Sequence, residues 1–316
     1  MKTIVTGGAG FIGSHVVDAY VAAGHEVIVV DDLSMGKREN VNPAARLVEL
    51  GVNDARLVDL FAAERPAVVN HHAANPSISV SVERPLFDAR QNILGTLNVL
   101  EAARRTGVER FIYIASGGAM YGDPHYLPVD EEHPANPISP YALSKTTGEQ
   151  YVRLYGLEHG LRWTSLRYAN VYGPRQDPFG EAGVIAIFCH TLLAGGQPEI
   201  HWDGEQSRDF VYVGDCARAN LLALEAQDSR AYNVGTGQGT SINTLFETLL
   251  GVVGRDVTPR RAPRRPGDVR HSYLDCRRIE ADLGWRPHVT LEQGLARTWQ
   301  HFARNRDRSA PVEERL

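Results

Sequence analysis

The stretch Thr6-Gly7-Gly8-Ala9-Gly10-Phe11-Ile12-Gly13 constrains this chain more than any other segment. It follows a short apolar run, Thr3-Ile4-Val5, and leads into an amphipathic segment. Glycine recurs at positions 7, 10 and 13. There a chain leaving a buried strand must turn, let its backbone approach an anion and begin a helix against the sheet, and glycine leaves room for all three. A helix opening near Phe11 aims its unpaired N–H groups and the positive end of its dipole at the turn, so a pyrophosphate can be held without a basic side chain. The pattern predicts strand, turn and helix, with the phosphates of a dinucleotide at the turn.

The following segment supplies the context that a lone glycine pattern lacks. His25-Glu26-Val27-Ile28-Val29-Val30 reads as a second strand that ends in Asp31 and Asp32. An acid at that distance from the turn suits the two hydroxyls of an adenosine ribose and repels a 2′-phosphate, which favours NAD over NADP. Lys37 and Arg38 lie just beyond and could take that phosphate instead.

With 316 residues and 43% hydrophobic content, the chain can bury the core of one large or two modest domains. Its net charge of −5 gives no hint of nucleic acid or an anionic membrane as partner, so any anion site must be local. Cys189, Cys216 and Cys276 are too few and scattered for a disulfide framework or a zinc cluster, and fit a reducing compartment. No metal site is expected. The start MKTIVTGG enters the first strand directly and no run of apolar residues reaches membrane-spanning length, so a cytoplasmic location is expected.

Strand-like and helix-like segments then alternate. Asp54 to Glu64 is amphipathic, Ala67-Val68-Val69-Asn70 is a strand, a helix runs from about Leu86 to Arg105, and Arg110 to Ala115 is a strand. A helix from Pro140 to His159 and a strand from Arg162 to Tyr168 follow. Such alternation builds a doubly wound parallel α/β sheet of Rossmann type, covered by helices on both faces. After Asn170 the rhythm breaks, with Gly173, Pro174, Pro178, Gly180 and Gly183 close together, the edge of a second region. The expected division is a dinucleotide-binding domain over 1–170 and a smaller α/β substrate domain over 171–316. The strands at Phe210–Val213 and Tyr232–Gly235 suggest that the chain returns to the first sheet around 209–235. Helices are expected at Arg277–Leu283 and Leu291–Arg304, and a frayed charged tail from Asn305.

Tyr141 and Lys145 stand four residues apart in Ser139-Pro140-Tyr141-Ala142-Leu143-Ser144-Lys145, with Pro140 placed to open a helix on which both share a face. A phenol near pKa 10 is a poor base at neutral pH, and lowering it by three units takes about 4 kcal/mol. An ammonium roughly 4 Å away at an effective dielectric near 20 supplies about that much. Lysine is scarce in this chain, with only Lys2, Lys37 and Lys145 present, so the pairing is not a by-product of abundance.

Together the glycine turn, Asp31 and Tyr141-x-x-x-Lys145 resemble the extended short-chain dehydrogenase/reductase family, and most of all its nucleotide-sugar 4-epimerases. The resemblance runs from Met1 to about Leu295. It includes His71-His72-Ala73-Ala74, Asn92-Ile93-Leu94-Gly95-Thr96, Arg167-Tyr168-Ala169-Asn170, Gly173-Pro174-Arg175-Gln176, Arg208-Asp209-Phe210-Val211 and Arg265-Pro266-Gly267-Asp268. It implies that Tyr141 removes the proton of a UDP-hexose 4-hydroxyl while C4 gives hydride to NAD. The 4-keto sugar then turns over and takes the hydride back on its other face. NAD contacts are implied at Gly7, Gly10, Phe11, Ile12, Asp31, Asp32, Ser34, Gly36, Val52, His72, Ala73, Ala74, Asn92, Ala115, Tyr141, Lys145 and Tyr168. Contacts to the UDP-sugar are implied at Ser116, Tyr141, Asn170, Gly183, Val184, His201, Arg208, Arg265 and Asp268. For His71 and His72 a structural or backbone-lining role is expected rather than acid–base work. The resemblance also implies a homodimer paired through the helices Leu86–Arg105 and Pro140–His159.

The departures bear on mechanism and substrate. The family's third catalytic group, a Ser or Thr after the strand Arg110–Ala115, falls in Ala115-Ser116-Gly117-Gly118-Ala119-Met120-Tyr121-Gly122, one residue longer than the commoner form. Counting forward from Phe111 assigns Ser116 to the role, and counting back from Tyr121 assigns Gly117; both stand. The acids that related dehydratases and decarboxylases carry just after this point are Gly118 and Ala119 here, so elimination lacks its general acid. Leu50-Gly51 replaces the Gly-Asp whose acid meets adenine, so that contact is either lost or made by the backbone around Val52. His201 and Trp202 stand where an aromatic and a glycine are common, and either ring could stack on uracil or pack locally. Ser272 replaces a bulky tyrosine of some relatives, which leaves room for a 2-acetamido group. Two other classes compete with an isomerase. An oxidoreductase releasing reduced cofactor would need a second acid, for which Cys189-His190 is the adjacent pair, and a silent NAD-binding protein would not need Tyr141 and Lys145.

Overall fold

The computed structural model describes residues 1–179, 183–264 and 268–305. Its main layer is a parallel sheet of β1 (Lys2–Thr6), β2 (Glu26–Asp31), β3 (Arg46–Glu49), β4 (Val68–His71), β5 (Arg110–Ser116), β6 (Arg162–Tyr168) and β11 (Arg230–Val234), in the order β11-β6-β5-β4-β1-β2-β3. Strands such as Thr3-Ile4-Val5-Thr6 and Val27-Ile28-Val29-Val30 are buried on both faces, which is why they read as near-continuous apolar runs. The direction of strand addition reverses between β1 and β4, and in such a sheet the crevice outside the carboxyl ends of those strands receives the ligand.

Helices α1 (Phe11–Ala22) and α9 (Val213–Ala223) cover one face around Val16, Val17, Tyr20 and Ala219. Helices α2 (Leu57–Glu64), α5 (Gly95–Thr106) and α7 (Pro140–His159) cover the other around Phe61, Val99, Leu100 and Val152. The termini of α7 follow from its sequence. The Ser139 hydroxyl accepts the Ala142 N–H at 3.1 Å, Pro140 occupies the first turn, and Gly160 ends the helix at φ 69°.

The helix expected from Leu86 to Arg105 is instead a composite. After α3 (Ile78–Glu83) comes α4 (Pro85–Ala89), then a π-helical turn over Arg90–Leu94, then α5. The reason is polar: the turn carries the buried Asn92, whose amide bonds to Asn75, Asp88 and Ser144, so the widened turn directs a hydrogen-bonding group inward. A short α6 (Gly117–Met120) follows β5.

Of the two later strands, only the second joins the large sheet. β10 (Phe210–Tyr212) pairs with β7 (Asn170–Tyr172) in a separate ribbon, and β11 takes the edge beside β6. Helices α8 (Val184–Leu193), α10 (Ile242–Val253) and α12 (Leu291–Arg304) form another core around Phe188, Phe246, Leu295 and Phe302. Short ribbons flank it: β8 (Glu199–His201) with β13 (Arg260–Ala262), and β9 (Ser207–Arg208) between β12 (Thr240–Ser241) and β14 (His271–Ser272). Helix α11 (Arg277–Leu283) packs on β11. Beyond Asn305 the charged tail lies outside the described residues. Among the described residues no helix is long and apolar enough to cross a membrane.

The tightest point of the first turn is Gly7, at φ +68°, where an added Cβ would sit 2.6 Å from the Ala73 nitrogen and 2.8 Å from its Cα. Gly7→Ala combines left-handed strain with a backbone collision and should cost about 2–4 kcal/mol of stability. A lowered urea midpoint relative to the unaltered chain is the expected outcome; an unchanged midpoint would contradict this packing.

Candidate active site

At the carboxyl end of β1 the glycine turn forms an anion cradle. Gly10 precedes α1 with no side chain to cap it, so the N-terminal N–H groups at Phe11 and Ile12 open onto the turn without a capping oxygen. A Cβ at Gly10 would meet only the Gly7 oxygen at 3.2 Å, whereas one at Gly13 would collide with that same oxygen. The first position therefore borders space and the third is a packing contact. Asp31 ends β2, nearly buried, and accepts N–H groups from Ala9 at 3.0 Å and Leu33 at 2.9 Å. Burial pushes its carboxyl up, against those two hydrogen bonds. Asp32 accepts the N–H and hydroxyl of Ser34 at 3.0 and 2.5 Å. Gly36 folds the loop back, since a Cβ there would lie 2.7 Å from the Asp31 carboxylate. Arg38 is paired with Glu49, so one of the two cations that could have met a 2′-phosphate is already neutralised. The Val52 carbonyl accepts from Asn98 at 2.8 Å, and its N–H donates to no described residue, leaving that N–H available to a base.

At the end of β4, His71 has both ring nitrogens hydrogen-bonded, to Thr6 at 2.7 Å and Thr96 at 3.0 Å, and is a structural tie. His72, Ala73 and Ala74 line the chain opposite Gly7. The His72 Nε2 is buried without a hydrogen-bond partner, and burial, aided by the Lys145 charge, lowers its pKa to about 3. A neutral imidazole with an orphaned nitrogen fits a site completed by a ligand group.

Helix α7 brings Tyr141 and Lys145 to the same crevice. Lys145 is 4% exposed, and its Nζ lies 4.4 Å from the centroid of the Tyr113 ring on β5. The ammonium has no hydrogen bond to a described residue. Burial lowers its pKa to about 7, opposed by the charges of Asp88 and Glu149. A buried cation lacking acceptors suits a ligand that brings hydroxyls, such as a ribose. Ala115 is buried near the end of β5. Ser116 ends that strand, and its hydroxyl bonds to no described residue. A side chain at 117 would meet Leu274 at 2.8 Å and the Arg167 carbonyl at 3.0 Å, so position 117 is crowded, and Ser116 beside it carries the hydroxyl of this stretch.

On the far side, Asn170 is exposed with its side-chain amide unbonded among the described residues, and a Cβ at Gly118 would lie 3.5 Å from its Oδ1. Gly183 precedes α8 without a capping side chain, so Val184 opens a second uncapped helix N-terminus. Arg208 is part-buried, held by the Ser207 carbonyl at 2.9 Å and attracted by Asp268, and pairs in register with Ser272. Arg265 lies outside the described residues.

Two expectations change, and Trp202 takes one of the two places left open for it. The Tyr168 hydroxyl accepts from Asn220 of α9 at 2.5 Å and its ring belongs to the α1/α9 layer, so this side chain is turned from the face that carries Lys145. The Asn92 amide is consumed by Asn75, Asp88 and Ser144, so its first task is to shape the π-turn. Trp202 adopts φ +61°, a conformation that favours glycine, with Arg264 and Arg270 at 4.4 and 4.5 Å from its ring centroid. Two cation–π contacts of about 0.5–1 kcal/mol each offset the roughly 1–2 kcal/mol of left-handed strain. The ring is thus packed locally. Its neighbour His201 is bound to the Pro263 carbonyl at 3.1 Å and lies 3.2 Å from Glu199. Cys189 is buried, its thiol pushed up to about 12 by burial, which disqualifies it as an acid for a substrate.

Sequence reasoning missed Asp88, Ser144 and Glu149. Each carries a helical signal: Asp88 is four residues before Asn92, Ser144 adjoins Lys145, and Glu149 is four residues after it.

A glycine-turn anion cradle, an acidic strand end and a helix carrying Tyr141 with the buried Lys145 define a class of dinucleotide-dependent α/β enzymes. The comparisons with known proteins agree. Residues 3–235 match the NAD dependent epimerase/dehydratase family, and the chain belongs to it. It is 44% identical over 308 residues to UDP-glucose 4-epimerase of Mycolicibacterium smegmatis, covering 96% of this chain and 98% of that one. The UDP-glucose 4-epimerase of Thermotoga maritima, solved with UDP-glucose, is 48% identical with a TM-score of 0.95, covering 96% and 99% of the two chains. That of Thermus thermophilus, solved with NAD, is 44% identical with a TM-score of 0.90 and the same coverage.

The buried ammonium has a measurable cost. Because the folded pKa of Lys145, about 7, is below its ordinary 10.5, the folded state is penalised where the amine is charged. The penalty is complete below about pH 7 and is relieved as pH rises toward 10.5, where the unfolded chain also loses the proton. In cofactor-free protein, the stability of Lys145→Met relative to the unaltered chain should therefore fall by roughly 2–3 kcal/mol between pH 6 and pH 9, on top of a pH-independent cost for the acid charges that the change leaves without their cation. Denaturant melts at both pH values check this; a relative stability that is the same at both would contradict the assignment.

Proposed function

We propose that this chain interconverts UDP-glucose and UDP-galactose by NAD-dependent epimerisation at C4. The observation that carries this reading is the placement of Tyr141 and Lys145 on one face of α7 at the crevice edged by the glycine turn and Ser116. Family membership and the UDP-glucose-bound relative support it.

In this reading the turn at Gly7 and Gly10 and the N-terminus of α1 at Phe11 and Ile12 hold the cofactor pyrophosphate. Asp31, with Asp32, Ser34 and Gly36 around it, takes the adenosine ribose. The Val52 N–H faces adenine. Residues His72–Ala74, Ala115 and Lys145 surround the nicotinamide riboside. NAD supplies a hydride acceptor that is also the donor for the return step. Tyr141, its phenolate favoured by the nearby Lys145 ammonium, takes the proton of the sugar 4-hydroxyl and later gives it back. Ser116 hydrogen-bonds the same hydroxyl. Asn170, Arg208, Arg265, Asp268 and the α8 N-terminus at Gly183 and Val184 bind the nucleotide diphosphate, with His201 beside the uracil. That binding energy keeps the keto sugar in place while it turns. Gly118 and Ala119 offer no acid for elimination, which disfavours a dehydratase. Ser272, in register with Arg208, leaves room for a 2-acetamido group, so N-acetylhexosamines are accepted alongside the simple hexoses.

Residues 1–170 with the returning 209–235 segment serve the cofactor and the rest of 171–316 the sugar nucleotide. The protein acts in the cytoplasm, in galactose metabolism, as a homodimer. Supporting the dimer, α7 exposes Leu143, Leu154 and Leu157, the last 70% exposed, beside Leu86 at 85% and Leu94 at 56%. An apolar stripe of this size on adjoining helices calls for a cover.

Proton NMR of UDP-galactose mixed with purified protein and no added NAD should show the gluco anomeric signal grow. Tyr141→Phe should slow it by about 10³-fold with NAD still bound. A static spectrum even after NAD is supplied, or a fully active Tyr141→Phe, would overturn the reading. For the dimer, Leu154→Glu with Leu157→Glu should halve the mass measured by light scattering; an unchanged mass would contradict the proposed interface.

A further inference from the structure

One buried acid has no place in the scheme above. Asp88 of α4 is 1% exposed and forms no ion pair with a described residue. Its Oδ1 accepts the side-chain amides of Asn75 at 3.0 Å and Asn92 at 2.9 Å, while Oδ2 accepts none from a described residue. A buried carboxylate without a cation is costly unless another charge offsets it. The hydrogen bonds continue toward the reacting pair. Asn92 donates to the Ser144 hydroxyl at 3.0 Å, and Ser144 donates to the Tyr141 carbonyl at 3.0 Å.

We propose that Asp88 is a positioning residue for the Tyr141–Lys145 pair, anchoring their turn of α7 through Asn92 and Ser144 and serving as the counter-charge of the Lys145 ammonium. The proposal rests on Tyr141 and Lys145 acting as described under Proposed function. The groups facing Lys145 divide by element. Glu149, on the same helix, is committed to Arg167 at 2.5 Å and Ser165 at 2.6 Å. His71, the last residue of β4, and His72 after it are kept neutral by burial and offer no negative charge. Tyr113 of β5 offers its ring face, and Tyr141 lies one turn earlier on α7. Asp88 thus supplies an anion not already spent on a cation. Its charge holds the Lys145 proton on, and the ammonium in turn favours the Tyr141 phenolate. The π-turn at Arg90–Leu94 explains how the acid arrives there: it widens the helix so that Asn92, one turn after Asp88, can bridge to α7.

The test compares holoenzyme variants with UDP-galactose across pH. Asp88→Asn keeps the shape and an acceptor oxygen for the two amides, and replaces the charged carboxylate with a neutral amide. The alkaline limb of kcat/KM, where Lys145 loses its proton, should move to lower pH by about one unit. KM near the acidic side should stay unchanged, and Asp88→Glu should restore the limb at least in part. Ser144→Ala breaks the bridge and leaves every charge, so kcat should fall severalfold with the profile unmoved. This second arm also decides the matter if Asp88→Asn does not fold. Profiles of Asp88→Asn and the unaltered enzyme that superimpose, or an undiminished kcat in Ser144→Ala, would overturn the proposal. Failure of the underlying reading is distinct, because it shows as activity in Tyr141→Phe.

Discussion

The seating of α7 on β5 is the contact on which the rest of the site depends. Gly148 lets the helix close onto the sheet, since a Cβ there would collide with the Tyr113 hydroxyl. That hydroxyl donates to the Lys145 carbonyl at 3.1 Å, fixing the helix in rotation as well as distance. The Lys145 side chain is then carried into the interior over the aromatic ring, where a cation is electrostatically expensive. The cost is what makes the amine useful: an ammonium with weak screening and no hydrogen bond to a described residue acts strongly on a neighbouring phenol. One turn further on, Glu149 locks α7 to β6 through Arg167 and Ser165, so both ends of the catalytic segment are pinned.

The first half of the fold was legible because its signals are local. Alternating apolar runs and amphipathic stretches gave strands and helices whose ends, Pro140 to His159 and Arg162 to Tyr168, agree with the structure. What was illegible involves partners distant in sequence. The crowding of position 117 by Leu274 and the Arg167 carbonyl comes from partners that no count along the chain places there. Tyr168 is turned toward α9 by Asn220, some fifty residues later. The break in the Leu86–Arg105 helix comes from an amide that bonds inward to Asn75 and Ser144, whereas helical periodicity registers apolar faces alone. Trp202 is the plainest conflict between levels, a bulky residue in a glycine conformation retained by two arginines.

Cofactor preference illustrates how neighbouring charges refine a motif. Asp31 alone argues for a ribose with free hydroxyls, and Arg38 alone argues the reverse. The ion pair of Arg38 with Glu49 removes much of that opposition. Both Asp31 oxygens also receive backbone N–H groups from the loops on either side, so the acid is held in place before any ligand contacts it. A preformed acceptor of this kind loses little entropy on binding, which suits a cofactor retained through many turnovers.

In the mechanism proposed, the hydrogen removed from C4 of the sugar returns to C4 of the same sugar. UDP-galactose carrying deuterium at C4, incubated with the purified enzyme in ordinary water, tests this directly when the UDP-glucose product is examined by mass and NMR. The product should retain the deuterium at C4. Loss of the label to solvent, or its transfer to another carbon, would contradict it.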